Sequence, residues 1–99
     1  MRELHRSSVI GRGAEHVETK SGEQTLMMSV DQGKYYSVDA TAGRIWELIE
    51  HPASIAEIVR TLTAEYDVDA STCEEQVKHF IADLITNGLA VELEGASKL

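Results

Sequence analysis

The sequence predicts an α+β fold of winged-helix type, a three-stranded antiparallel sheet followed by three helices. Three observations carry that expectation. Apolar side chains alternate on either side of a glycine turn in the first half of the chain. In the second half they recur at helical spacing instead. The helical half is punctuated by start and stop signals, Ser54-Ile55-Ala56-Glu57 and Asn87-Gly88 among them. Strands first and helices afterwards is the α+β pattern.

The hairpin comes first. Thr25-Leu26-Met27-Met28-Ser29-Val30 and Lys34-Tyr35-Tyr36-Ser37-Val38 flank Asp31-Gln32-Gly33. Asp31 opens the turn, and Gly33 takes the left-handed conformation that a three-residue loop requires. Pairing Val30 with Lys34 sets Met28 opposite Tyr36 and Leu26 opposite Val38. Those residues then share a largely apolar face, and Met27, Ser29, Tyr35 and Ser37 lie on the other. Upstream, residues 14–20 followed by Ser21-Gly22 alternate weakly and read as the third strand.

Asp39 is the expected N-cap of the first helix, in which Ala42, Ile45, Trp46 and Ile49 form one stripe. His51-Pro52 ends it, because proline disfavours helical geometry in the residue before it. Ser54-Ile55-Ala56-Glu57 reads as a capping box for a second helix, with Ile55, Ile58, Val59 and Leu62 on one face. A further capping box, Ser71-Thr72-Cys73-Glu74, opens the third, which carries Val77, Phe80, Ile81, Leu84 and Ile85 up to Asn87-Gly88. Residues 89–93 read as a short final strand or an extended tail.

These elements form one domain over residues 1–99, with an ordered core over roughly 14–93. A single cysteine, Cys73, excludes an internal disulfide and suits a reducing cytoplasm. Neither a signal peptide nor a membrane-spanning run is visible, so a cytoplasmic protein without a membrane partner is expected. The formal net charge is −8, and all of the acidic surplus lies in residues 39–99. Such a surface repels phosphate backbones and accommodates a basic or neutral partner more easily.

Catalytic chemistry finds little support. His5, His16, His51 and His79 are scattered, and Cys73 with His79 lacks a familiar metal-ligand spacing. Cys73 lies on an apolar helix face, where a thiol packs rather than reacts. Asp67-Val68-Asp69 and Glu74-Glu75 most simply favour the positive end of the third helix. The expectation is a non-enzyme with no catalytic residue, no metal and no cofactor, in which Trp46 packs in the core. More suggestive is the strand Lys34–Val38, which follows a tight turn and immediately precedes a helix. It suits a sheet edge, and an exposed edge either simply ends a sheet or pairs with another extended chain.

The string from Gly33 to Glu50, Gly-Lys-Tyr-Tyr-Ser-Val-Asp-Ala-Thr-Ala-Gly-Arg-Ile-Trp-Glu-Leu-Ile-Glu, resembles the PqqD family. In that family a G-x-Y-[YF]-x-[LV]-[ND]-x-T-[AG] segment leads into an I-W-x-L helix. Ser54-Ile55-Ala56-Glu57-Ile58-Val59 fits as well, as does Tyr66-Asp67-Val68-Asp69 running into Phe80-Ile81-Ala82-Asp83-Leu84-Ile85-Thr86-Asn87-Gly88-Leu89. The likeness covers roughly residues 25–91. It implies a winged-helix-like recognition element for ribosomally synthesised, post-translationally modified peptides (RiPPs). Such a domain takes the precursor's leader as an added strand, in a cleft walled by the third helix. It presents the precursor to a radical enzyme, a leader protease or a cyclase. On this chain the receiving strand is Lys34–Val38 and the wall is residues 72–86. Asp39 replaces the Asn of many relatives and keeps the capping role. The hairpin and Thr72-Cys73-Glu74 look more like stand-alone members of lasso-peptide clusters.

On a helical wheel Cys73, Val77, Phe80 and Leu84 form a central stripe, which Ile81 and Ile85 broaden toward the flank of Glu74 and Lys78. Gln76, Asp83 and Asn87 occupy the opposite, polar flank. The expected peptide-binding residues are therefore Lys34, Tyr35, Tyr36, Ser37, Val38, Glu74, Val77, Lys78 and Ile81. Backbone groups of Tyr35, Tyr36 and Ser37 supply hydrogen bonds in this scheme. Tyr36, Val38, Val77 and Ile81 form apolar pockets, and Glu74 and Lys78 set the charge preference. The expected partners are a precursor leader peptide and a modifying enzyme or leader protease of the same pathway, with no nucleic acid. The alternatives are a winged-helix DNA-binding protein, which Glu74, Glu75 and Asp83 disfavour, and a protein-docking or dimerisation domain.

Overall fold

Alternation and helical spacing are both realised, but the strands divide between two sheets. The computed structural model describes residues 4–13, 16–22, 24–30 and 33–93. In chain order the elements are β1 (Val9–Arg12), β2 (His16–Ser21), β3 (Gln24–Ser29), β4 (Lys34–Val38), α1 (Ala40–Leu48), β5 (Ala53–Ser54), α2 (Ile55–Glu65), α3 (Ala70–Thr86) and β6 (Ala90–Leu93). One antiparallel sheet has the order β2-β3-β4 and the other β5-β1-β6. The class is α+β as expected, and the winged-helix description fits it loosely.

The β2-β3-β4 sheet is the expected one, with a corrected register. Ser29 pairs with Lys34, Met27 with Tyr36 and Thr25 with Val38. Residues 30–33 thus separate the paired ends, one residue more than a three-residue loop. Gly33, at φ 65°, donates its N–H to the Ser29 carbonyl at 2.7 Å. Asp31 and Gln32 of the expected turn lie outside the described residues, as do Ala14 and Glu15 of the expected first strand. A slip of one residue exchanges the faces of β3. Met27 is buried together with Thr25 and Ser29, while Leu26 turns outward. β4 keeps its expected face, with Val38 buried, Tyr36 half-buried, and Tyr35 and Ser37 exposed. The physical reason lies in the small residues. Gly43 of α1 sits over β3, where a Cβ on it would lie 3.5 Å from Thr25 Oγ1. Helix and sheet approach closely there, and counting apolar residues does not reveal it.

The second sheet was not expected, apart from its last strand, β6, which realises the strand option for residues 90–93. β1 runs between β5 and β6, pairing Val9 with Ser54 and Arg12 with Ala90. Beyond it, Gly13 donates its N–H to the Leu89 carbonyl at 2.8 Å. A Cβ on Gly13 would stand 2.6 Å from the Gly88 carbonyl oxygen, so glycine is required for that approach.

Helix ends follow local chemistry. Asp39 caps α1, accepting from Ala42 N at 3.1 Å. That helix ends at Leu48 rather than at His51, because the chain must straighten into β5 to pair with β1. Ser54 and Glu57 form the expected capping box of α2 with bonds of 3.1 and 3.0 Å. α3 departs from expectation. Asp69, not Ser71, is its N-cap, accepting from both the amide and the hydroxyl of Thr72 at 3.0 and 3.3 Å. Its other end closes as anticipated at Asn87-Gly88, with Leu89 N bonded to Leu84 O at 2.8 Å and Gly88 N to Ile85 O at 3.1 Å. The core gathers Ile10, Met27, Trp46, Ile49, Ile55, Ile58, Val77, Ile81, Leu84 and Leu89. Trp46 is buried as expected, with Arg12 stacked 4.2 Å from its ring and its indole N–H donated to Glu18 Oε1 at 2.9 Å. This cluster ties β1, β2 and α1 together.

Candidate functional site

The order β2-β3-β4 leaves β4 at the edge of its sheet, so one side of its backbone has no strand partner among the described residues. Beside β4 lies an open groove of about 470 Å³, lined by Tyr36, Glu75, Gln76, His79, Phe80 and Asp83. Tyr36 forms its floor. Its ring meets Phe80 edge-on, with centroids 5.9 Å apart, and its hydroxyl donates to Asp83 Oδ2 at 3.4 Å. Burial, and then the negative charge of Asp83, push the Tyr36 hydroxyl above its usual range. His79 Nε2 stands 3.8 Å from Asp83 Oδ2. Asn87 anchors the same turn of α3, donating its side-chain amide to the Asp83 carbonyl at 2.9 Å.

The expected site residues fall into two groups. Lys34, Tyr35, Tyr36, Ser37 and Val38 make up the edge strand β4, with Tyr36 in the groove and Val38 buried in the core. The expected helix residues do not join them. Val77 and Ile81 are 1% and 0% exposed and belong to the core. Glu74 and Lys78 pair with each other at 3.0 Å, and Glu74 also meets Arg6 at 3.4 Å, on the flank facing away from the groove. The groove is walled by the opposite flank, where Phe80 supplies the apolar surface and Glu75, Gln76, His79 and Asp83 the polar groups. A different stripe through the sequence would have found this. Cys73, Val77, Ile81 and Leu84 also share one helix face, and they are the buried residues of α3. Centred there, the wheel leaves Phe80 at the margin, beside Gln76 and Asp83.

Burial raises the Cys73 thiol above its usual range, which keeps it protonated. Among the described residues no group of three His, Cys, Asp or Glu is placed to hold a metal ion. No helix among them is long and apolar enough to cross a membrane.

Residues 24–90 match the family described as coenzyme PQQ synthesis protein D (PqqD). The chain belongs to the PqqD family. Two solved structures share its fold. TbiB1 in complex with the TbiA(beta) leader peptide superimposes with a TM-score of 0.73 at 28% identity, over 89% of this chain and 99% of that one. Lasso peptide synthetase B1 complexed with the leader peptide gives a TM-score of 0.73 at 22% identity, over 83% and 96% of the two chains. No curated protein matches the chain. This PqqD-family chain therefore shares its architecture with nearly the whole of both neighbours.

Proposed function

We propose that this PqqD-family protein binds the leader region of a ribosomally synthesised precursor peptide and presents it to a modifying enzyme or leader protease, contributing no chemistry itself. The observation that carries this reading is the free edge of β4 beside an open groove walled by α3. An extended peptide added to that edge gains backbone hydrogen bonds from β4 and side-chain contacts from the groove. TbiB1, the neighbour at 28% identity, was solved with a leader peptide bound, which supports the same role here.

The donors and acceptors can be assigned by alternation. The Ser29 carbonyl turns toward β4, since it accepts from Gly33 N. In an antiparallel pair the amide and carbonyl of one residue point to the same side. Ser29, Met27 and Thr25 therefore bond to Lys34, Tyr36 and Val38, their register partners. That leaves the N–H and C=O groups of Tyr35 and Ser37 directed to the open edge. Binding concentrates a precursor near its enzyme, and specificity comes from the groove.

The test is amide hydrogen exchange with and without a synthetic precursor leader peptide. Slowing at Tyr35 and Ser37 and along the Gln76–Asp83 flank of α3 is expected. Slowing at β6 instead, with β4 unchanged, would overturn the reading.

A further inference from the structure

Strand addition explains the backbone contacts but leaves the charge of the groove unused. The described lining sets two carboxylates, Glu75 and Asp83, against one imidazole, His79. The groove is thus net negative even with that ring protonated. Glu75 is exposed and has no ion-pair partner among the described residues. Asp83 keeps 48% of its side chain exposed, and among the described residues His79 is the one basic side chain within 4 Å of its carboxylate, at 3.8 Å. Lys78, the nearby cation of α3, is held by Glu74 on the other flank. Phe80 lies between the two carboxylates along α3, with its ring edge-on to that of Tyr36.

The spacing matches an extended chain. At about 1.5 Å per residue, Glu75 and Asp83 lie about 12 Å apart along α3, with Phe80 about 7.5 Å from Glu75. Side chains on one face of a strand recur about every 6.6 Å, so alternate residues of a peptide running along the groove meet Glu75, Phe80 and Asp83 in turn. Both carboxylates stay in reach of solvent, so they act on a ligand at short range. The acidic surplus of residues 39–99 steers the same kind of ligand from a distance.

We propose that the groove selects an extended segment whose alternate side chains are basic, apolar and basic. Glu75 and Asp83 read the two charges, and the Tyr36–Phe80 pair reads the apolar side chain. The inference rests on the strand-addition reading, which makes the peptide extended.

The experiment is selection of a displayed library of random peptides by the full chain, by Glu75→Gln and by Asp83→Asn. Both substitutions preserve shape, and the asparagine oxygen can still accept from the Tyr36 hydroxyl. Circular dichroism confirms that both variants fold. The native chain is expected to enrich lysine or arginine two residues to either side of an apolar position. Each variant should lose enrichment at one end and keep the apolar preference. Replacing one such lysine by methionine in a recovered peptide should weaken native binding by about threefold to tenfold, the size of one partly exposed charge contact. The variant lacking the facing carboxylate should be indifferent to that change. Peptides recovered without basic enrichment, or with enrichment unchanged in both variants, would overturn the charge assignment alone. Recovery of no peptide by the native chain would overturn strand addition and this inference together.

Discussion

Val77 and Ile81 lie about 60° and about 100° from Phe80 around α3, on the same side of it, and that rotation separates core from groove. The apolar character of all three is plain in the sequence, yet their directions depend on how the helix sits against its neighbours. Packing of α2 and of β6 against α3 turns Cys73, Val77, Ile81 and Leu84 inward and leaves Phe80 to meet Tyr36. Trp46 was legible as a core residue because it lies on the stripe of α1. Its partners Arg12 and Glu18 were not, since polar residues in weakly patterned segments announce nothing. The consequence is measurable at single residues. Truncating Ile81 to alanine removes a fully buried side chain and should cost about 2–5 kcal/mol in urea unfolding. Glu74→Ala or Lys78→Ala breaks a surface pair and should change stability by less than about 1 kcal/mol. In a leader titration Phe80→Ala should weaken binding, while Glu74→Ala and Lys78→Ala leave it unchanged. Lost binding in the latter two, with Phe80→Ala unaffected, would return the site to the other flank.

Register is the property of the hairpin that sequence conveyed least well. Both candidate registers place apolar residues opposite each other. The structure favours the one that buries Thr25 and Ser29 with Met27, beneath a helix that approaches through Gly43. The strand itself was legible, as was its position at an edge. Which of its amides face outward follows only from the observed pairing, and two proline substitutions test that assignment. Ser37→Pro removes a donor directed to the open edge, so the fold should survive with some loss of melting temperature. Peptide binding should fall by about tenfold or more, the cost of a lost hydrogen bond plus a ring intruding on the incoming strand. Tyr36→Pro removes instead a donor bonded to Met27 within the sheet, and the domain should lose its cooperative melting transition. If Tyr36→Pro folds and Ser37→Pro does not, the alternation is inverted.

Over the molecule as a whole, the sequence disclosed charge better than topology. β1 pairs with β6 across almost the entire chain, Arg12 meeting Ala90, and a four-residue strand with a central glycine gives no periodic signal for such a partner. Charge needs no topology to be read. Residues 39–99 hold the acidic surplus, and α3, the helix that would enter a DNA groove in a winged-helix protein, displays Glu74, Glu75 and Asp83. Its lysine, Lys78, is already paired. Duplex affinity depends on neutralising several phosphates, and each contact steepens the fall of affinity with salt. A leader seated on β4 depends mainly on backbone hydrogen bonds and apolar contacts, with one or two ion pairs at most. Raising salt from about 50 to about 200 mM should therefore weaken leader binding only by a small factor, whereas a protein with six or more phosphate contacts loses about a thousandfold or more. Titrating a fluorescent leader and a random-sequence duplex at both salt concentrations distinguishes the cases. The expected result is a nearly flat response for the leader and no saturable binding of the duplex at either concentration. Tight duplex binding that collapses with salt, with no response to the leader, would mean that the shared architecture serves nucleic acid here and that the β4 edge is merely the end of a sheet.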